Sequence, residues 1–583
     1  MLIIKNRNSI LRSTAIEQNP SSLTERLLLA IVPLLIVPHL IVLGLSQSQT
    51  ASAQLAENLY VGNTKAWALA NAVTADPPGL DSVHFNPAGL TKGTKNGLFF
   101  EGHLIGSSTK SAFKIKSTPV ETNLGEYYLN DCDSECLLYS FEQETADTDE
   151  NSDRKSRQGI YLPGFGPLYS NSVANLDFTL LPRIAIGYKA PRSKWSFGTS
   201  SYINFTLAFK EEGVDERSLS PTIRELALGS VSVAVPTVAY KINDHWSVGA
   251  GLSLQSFGFK LQMVTGLPHP LLGAFSKALT YSCDIGRLGP SFCEDLGSKP
   301  FNPLQPLATI DFEVEDLLTL SYNAGVLWEP TQWFSWGLLY RGPAKHNLKG
   351  DMTMAYSQAA TAFLNMPIYQ LIGGSAAGLN GGRSENLEVS IAVTQPQYIA
   401  TGLSLLVTPK LKINIDYKKS YYGRWSHWTL KYNDPSVMSP LMELASLANA
   451  SLDNTTLGIE DLGISATSIN IPIGMEDTQN WAFGLEYGWS SKLKLRAGYE
   501  KRPSVYGNRL PNIPISSLEM VLRNVGIVFQ WDNRTVVELA AGLVKSDTQV
   551  GYDAGNILFS TPLNSEVTID YPVLMLSWKR QSL

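Results

Sequence analysis

Asp76, Ser82 and Asn86 stand within eleven residues of one another and run into Pro87-Ala88-Gly89-Leu90. Asp76 and Asn86 suit hydrogen bonding in a confined polar space, and Pro87 fixes a rigid turn there. Taken alone, Asn-Pro-Ala-Gly also reads as a turn entering a strand. The other groups able to do chemistry are dispersed. Asp147-x-Asp149-x-Asn151-x-Asp153 alternates oxygen ligands like the start of a calcium loop, but Ser152 stands where the sharp-turn glycine belongs and no distal Glu is well placed, so it reads as a solvated loop. His84, His103, His245, His269, His346 and His427 show no metal-ligand spacing. Phosphate-binding glycine loops and GxSxG elbows are absent. These residues make no catalytic constellation and imply no cofactor and no resident metal.

Cysteine usage points to an oxidising compartment. Cys132-x3-Cys136 and Cys283-x9-Cys293 are two local pairs in polar stretches between strand-like segments. In an exported chain they read as two loop disulfides; a metal site is the rival, without Cys-x-x-Cys spacing or a nearby His pair to support it. Export is indicated by residues 1–53. Lys5, Arg7, Arg12 and Arg26 precede the uncharged apolar stretch Leu27–Leu45, and Ala51-Ser52-Ala53 has the small-residue pattern of a signal-peptide cleavage site. An uncleaved anchor helix is the alternative for this stretch, weakened by Pro33, Pro38 and Gly44. After cleavage the 46 basic and 52 acidic residues fall by four and two, a net charge of −8. That excludes a nucleic-acid partner bound through a basic surface.

The elements that must position these residues follow from composition and period. Charged residues are 17% of the chain, yet only 44% are hydrophobic, and glycine (46) and tyrosine (24) fill the difference. A transmembrane β-barrel has this composition, because its strands need apolar side chains on one face only. After Gly93 the dominant period is two: Trp481, Phe483, Leu485 and Tyr487 alternate with Ala482, Gly484, Glu486 and Gly488, and Leu493, Leu495, Ala497 and Tyr499 with Lys494, Arg496, Gly498 and Glu500. Glu486, Arg496 and Glu500 are expected to face the lumen. We expect an all-β fold, a fourteen-stranded antiparallel transmembrane β-barrel over 93–583 with long extracellular loops. Its strands are 96–108, 178–190, 195–209, 229–242, 245–264, 317–328, 333–355, 387–408, 410–432, 478–490, 492–503, 519–531, 534–550 and 565–579. Short turns alternate strictly with long loops, as in a barrel inserted from the periplasm. Trp195, Trp246, Trp328, Trp333, Trp489, Trp531 and Trp578 lie at the short-turn end, as an aromatic girdle requires, although strand preference alone also favours Trp.

Residues 54–92 are not strand-like and are expected to form a hatch. The run Ala75-Asp76, Ser82 and Asn86-Pro87-Ala88-Gly89-Leu90, together with Gly62 and Ala66, resembles the hatch of the FadL/TodX-type outer-membrane transporters of long-chain fatty acids and other hydrophobic compounds. Tyr322-Asn323-Ala324-Gly325-Val326-Leu327-Trp328, Trp336-Gly337-Leu338-Leu339-Tyr340-Arg341 and His245-Trp246-Ser247-Val248-Gly249-Ala250-Gly251-Leu252 resemble other parts of the same family. Pro77-Pro78 departs from the polar residues usual after Ala-Asp, and the chain ends on Leu583 where an aromatic is usual. The resemblance implies a monomer in the cell outer membrane, assembled by the barrel-assembly machinery and surrounded by outer-membrane lipid, that takes up fatty acids or hydrocarbons passively. It also implies a hatch that shifts and a kinked third strand giving lateral exit. That strand is Trp195–Phe209 here, with Gly198, Tyr202 and Asn204 as candidate exit residues. Two apolar loop stretches hold Phe363, Leu364, Ile368 and Leu371, and Met438, Leu441 and Met442. They are candidates to capture substrate, or else to pack on each other as a lid. Rival readings are a barrel that scaffolds an enzyme or adhesin, for which no Ser–His pair is suggestive, and a nonspecific porin, which has no need of a hatch. Mass analysis of protein purified from outer membranes should find Gln54 as the mature N-terminus; an intact Met1 there refutes the cleavage.

Overall fold

The computed structural model describes residues 61–93, 97–108, 112–119, 156–169, 178–211, 223–265, 308–357, 383–440, 467–505, 519–550 and 563–581, with scattered positions in the longer loops. Its strand segments form one antiparallel sheet that closes on itself. The first wall strand is β1 (Gly97–Ser108), carried on by β2 (Ala112–Pro119), and β3 (Ser156–Leu162) and β4 (Gly166–Tyr169) make a separate hairpin. The second to sixth wall strands are β5 (Phe178–Lys189), β6 (Trp195–Glu211), β7 (Ile223–Ala234) with β8 (Thr237–Lys241), β9 (Trp246–Thr265) and β10 (Ala308–Trp328). The seventh to tenth are β11 (Phe334–Arg341) with β12 (Ala344–Tyr356), β13 (Ser384–Gln395) with β14 (Tyr398–Thr408), β15 (Leu411–Ser420) with β16 (His427–Tyr432), and β17 (Ser468–Pro472) with β18 (Thr478–Gly488). The last four are β19 (Leu493–Arg502), β20 (Met520–Gln530), β21 (Thr535–Val550) and β22 (Leu563–Gln581). β1 pairs with β5 on one side and β22 on the other, so the fourteen wall strands have no free edge between first and last. Closure is what lets strands cross a bilayer, since every backbone group in hydrocarbon must be paired within the protein.

Three wall strands are interrupted at Pro236, Pro343 and Pro396, where a ladder donor is missing. The faces are as the period of two requires. Glu486, Arg496 and Glu500 are buried towards the lumen, while Trp481, Phe483, Tyr487, Val525, Ile527 and Phe529 stand on the outer face. At the short-turn end Trp195, Trp246, Trp333, Trp489, Trp531 and Trp578 are outward and exposed, and Trp246 stacks on Trp328 at 5.7 Å.

Several strands begin earlier or run further than the sequence suggests, and the physical reason is common to them. Above the oily band the pattern inverts. On β10, Leu320 and Tyr322 are exposed while Ser321 and Asn323 are buried, but further up Phe312 and Val314 are buried and Asp311, Glu313 and Glu315 lie on the outside. β12 repeats this, with Leu348, Met352 and Met354 inside and Lys345, Asn347, Lys349 and Asp351 outside. The outer face meets water there and carries charge, while the lumen becomes apolar. Expectations based on an apolar outer face therefore cut strands short. The fourth wall strand starts at Ile223, not 229, and the sixth at Ala308, not 317. Stretches read as loop contain β2, the β3–β4 hairpin and β17. Replacing Leu485 by Arg near mid-membrane should cost about 2–4 kcal/mol, whereas Lys349→Leu above the inversion should change stability by no more than about 0.5 kcal/mol. Urea unfolding of the barrel in liposomes measures both, and similar costs at the two sites contradict the assigned faces.

Candidate functional site

The hatch occupies the lumen in short pieces. Helices α1 (Thr64–Ala68), α2 (Ser82–Phe85) and α3 (Leu90–Gly93) alternate with 3-10 turns at Gly79–Asp81 and Pro87–Gly89. Such short helices are unstable alone, so the wall must supply the missing hydrogen bonds. Thr64 Oγ1 donates to Glu538 Oε2 at 2.6 Å, and Asn524 Nδ2 donates to Trp67 O at 2.6 Å. Val73 and Thr74 N–H donate to Asp416 Oδ2 at 2.9 and 2.7 Å, and Asn71 Nδ2 donates to Glu500 Oε2 at 3.0 Å. Ser335 donates to Ala75 O, Asn323 to Val83 O, and Thr91 to Ser247. The hatch is thus bonded to strands all round the barrel.

Asn86 is at the centre of the motif. Its Oδ1 accepts from Ala88 N–H at 3.2 Å and caps the turn that Pro87 opens, and its Nδ2 donates to Thr74 O at 2.9 Å and Val326 O at 3.1 Å. The motif is a turn and a plug contact at once. Close approach needs small residues on the facing wall: a Cβ at Gly325 would overlap the Asn86 carboxamide, one at Gly249 the Pro87 backbone, and one at Gly337 the Thr74 carbonyl. Ser82 donates to Gly79 O at 2.7 Å, and Ala88, Gly89 and Leu90 are buried. Asp76 accepts from Lys412 at 2.9 Å and pairs with Lys65 at 2.9 Å. Burial opposes its ionisation, but the two ammonium groups outweigh that and hold the carboxyl well below its usual range. Burial brings Lys65 down to about 8, still protonated at neutral pH.

Arg341, on the seventh wall strand, joins the hatch to the third. Its guanidinium lies 3.0 Å from His84 Nδ1 and donates to Tyr202 OH at 3.3 Å and Asn204 Oδ1 at 3.0 Å. Asn204 is the extra residue of a β-bulge, where the register against β7 shifts between Ile203 and Phe205, and it also donates to Ser230 and Ser232. β6 pairs with β5 only from Tyr188↔Phe197 to Ala185↔Ser200, and with β3 only from Gly159↔Ala208 to Ser156↔Glu211. Between these ladders, among the described residues, the stretch 201–207 has no strand partner on the β5 side. Gly198 lies below this break, against Leu90 and Val83 of the hatch. Tyr161 of the hairpin bonds Thr206 from above and frames the opening.

Above the hatch, the lumen-facing side chains of the outer half form one apolar cluster. It includes Phe257, Phe259, Phe312, Leu348, Ile391, Trp425 and Trp428, and loop residues Leu364 and Met438 belong to it. Phe363, Ile368, Leu371, Leu441 and Met442 lie outside the described residues, as do Cys132 and Cys136; Cys283 and Cys293 are joined as a disulfide. Sequence reasoning did not find Arg341, Asp416, Glu101 or Asn323 as hatch partners. Alternation marks them as lumen-facing polar residues, but nothing in the spacing says which of these the hatch meets.

A family model described as outer membrane protein transport protein (OMPP1/FadL/TodX) matches residues 42–568. No curated protein matches the sequence. Among solved structures, a Pseudomonas aeruginosa FadL homologue superposes with a TM-score of 0.58 at 14% identity, covering 91% of this chain and 99% of that one. The Ralstonia pickettii toluene transporter TbuX gives 0.52 at 13%, with 90% and 98% covered. The P. putida toluene transporter TodX gives 0.52 at 13%, with 91% and 99% covered. At these identities the likeness is one of fold.

Two outcomes follow for the hatch. Asn86→Ala removes the donor to the buried Thr74 carbonyl and to the half-buried Val326 carbonyl and should weaken hatch docking by roughly 1–3 kcal/mol; in planar bilayers this appears as a raised leak of small ions through a still-folded barrel. His84 is the acid-sensitive group. Burial, and then Arg341, hold its imidazole well below the ordinary value of 6.5. A released hatch binds the proton first, so docking loses stability as pH falls below about 6.5. Leak should therefore rise between about pH 7 and pH 5, with a smaller rise in His84→Gln; an unchanged pH dependence in that variant assigns the effect elsewhere.

Proposed function

Because the chain belongs to the outer membrane protein transport family (OMPP1/FadL/TodX), we propose that it carries long-chain fatty acids or similar hydrophobic compounds passively from the outer surface, past its hatch, and out sideways into the membrane. One observation carries this reading: an apolar outer lumen ends at the β5–β6 break, with the hatch closing the way straight down. A hydrophobic solute crosses a polar surface layer poorly, so a surface that matches it in apolar character lowers that first barrier. Leu364 and Met438, buried in the lumenal cluster, place loop side chains where captured substrate enters. Below, the hatch fills the lumen and is bonded to the wall, whereas the break beside the Asn204 bulge opens towards lipid.

Roles follow residue by residue. Asp76, Ser82 and Asn86-Pro87-Ala88-Gly89-Leu90 hold the hatch. Gly198 admits hatch side chains against the third strand, and Tyr202 and Asn204 line the exit. The role is transport without chemical conversion of the substrate. Fatty acids are the substrate to test first, since the long apolar stretch from the loops to the break suits a long chain; a compact aromatic hydrocarbon such as toluene is the second candidate. Deleting Asn204 removes the bulge and allows β6 to pair regularly. Cellular uptake of labelled oleate should then fall at least about tenfold while heat-resistant barrel mobility on gels is kept. Unchanged uptake by that variant removes lateral exit from the reading, and saturable uptake of toluene but not oleate replaces the substrate class.

A further inference from the structure

At the seam where β1 meets β22, three buried acceptors converge from two parts of the chain. Asp81 comes from the hatch, and Glu101 and His103 lie two apart on one face of β1. His103 Nε2 is 3.2 Å from Asp81 Oδ2 and 3.7 Å from Glu101 Oε2, and the three ligand atoms all lie within 4.8 Å of one another. Each group is oriented by a bond at its other atom. Asp81 Oδ1 accepts from the Arg183 guanidinium and from Ser200 Oγ at 3.1 Å. Glu101 Oε1 accepts from Leu80 N–H at 3.0 Å. His103 Nδ1 meets Ser577 Oγ at 2.6 Å. Asp81 Oδ2 also accepts from Asn63 Nδ2 at 2.8 Å, but Glu101 Oε2 and His103 Nε2 are buried without a hydrogen-bond partner.

The protons along the seam decide which nitrogen of His103 is bare. Glu538, flanked by Lys579 at 3.3 Å and Arg496 at 3.4 Å, is a carboxylate and only accepts. Thr64 spends its one hydroxyl proton on Glu538, at 2.6 Å. The 2.8 Å contact between Thr64 and Ser577 must then be a donation by Ser577. Ser577 has no second proton, so His103 Nδ1 is the donor in their contact. In the neutral ring Nε2 therefore carries a lone pair, and it points at two carboxylate oxygens. Three acceptors facing each other repel unless a proton or a metal cation lies among them.

We propose that Asp81, Glu101 and His103 bind a divalent transition-metal ion that ties the hatch to the first wall strand. The spacing suits it: two ligand bonds of about 2.1 Å at a tetrahedral angle put donor atoms roughly 3.4 Å apart. One imidazole with two carboxylates favours zinc, manganese or ferrous iron over magnesium or calcium. The bond that His103 donates to Ser577, and those that Leu80, Arg183 and Ser200 donate to the carboxylates, are the outer contacts that hold metal ligands in place. Arg183 and Lys579 add positive charge nearby, but Arg183 is matched by Asp81 and Lys579 by Glu538; among the described ion pairs, Glu101 faces only His103. The spacing of the histidines in sequence gives no hint of this site, because its third ligand comes from a different structural element.

The test uses the full chain purified from outer membranes, stripped with a chelator, reloaded with zinc and passed through gel filtration. Metal analysis should find about one zinc per chain. Glu101→Gln, which keeps the oxygen that Leu80 holds, and His103→Gln should each retain less than roughly a tenth of that. Heat-resistant gel mobility shows that both variants still form the barrel. Wild-type protein with no zinc above buffer level overturns the proposal. Equal zinc in wild type and both variants also overturns it, since the ion is then bound elsewhere, and displacement of the zinc by excess magnesium overturns the assigned ligand class.

Discussion

A lumen ringed by fourteen strands is too wide for the wall's own side chains to fill, and whatever fills it must have its backbone polar groups paired. That constraint shapes the rest of the molecule. It places Glu538, Asp416, Glu101, Asn323 and Asn524 inward at the positions where the hatch offers hydroxyl, N–H and carbonyl groups. It also accounts for much of the glycine in the strands, because a hatch made of single turns brings its backbone against the wall itself. Gly249, Gly325 and Gly337 are gaps in the inner surface shaped to that backbone. The composition of the chain, low in charge and rich in glycine, is a consequence of closing a wide tube with a thin plug.

The barrel was legible in the sequence because lipid imposes a strict rule on one face of each strand. Trp481, Phe483 and Tyr487 declare their face, and Glu486 between them declares the other. Where lipid ends, the rule ends too. Phe312 and Val314 look no different in sequence from lipid-facing residues, yet they point into the lumen, because Asp311, Glu313 and Glu315 have taken the wet outer face. Strand length above the membrane could not be read, for the physical reason that the two faces exchange character within one strand.

The hatch was legible as a segment but not as a set of contacts. Asn86 and Asp76 stand out by type, and the family resemblance placed them in the lumen. Their partners are several hundred residues away in some cases, set by the register of a closed sheet: Thr64 meets Glu538, and Asp76 meets Lys412. Arg341 shows the difficulty best. In sequence it is one polar residue ending an alternating strand, while in the fold it touches the hatch through His84 and the bulged third strand through Tyr202 and Asn204. The bulge itself left little trace, since Asn204 fits either face until the register against β7 is known.

The distribution of the hatch bonds has a mechanical consequence. They run to the first, second, third, fifth, sixth, seventh, ninth and eleventh to fourteenth wall strands, so the hatch sits like a hub with spokes to most of the rim. A rim held by spokes resists becoming oval, because any flattening lengthens one set while it slackens another. Hydrogen bonds tolerate little stretching. Lateral pressure from the surrounding lipid, which acts on the shape of the tube, is therefore transmitted to the centre, and a bilayer that squeezes the wall unevenly pulls on the same bonds that keep the lumen shut.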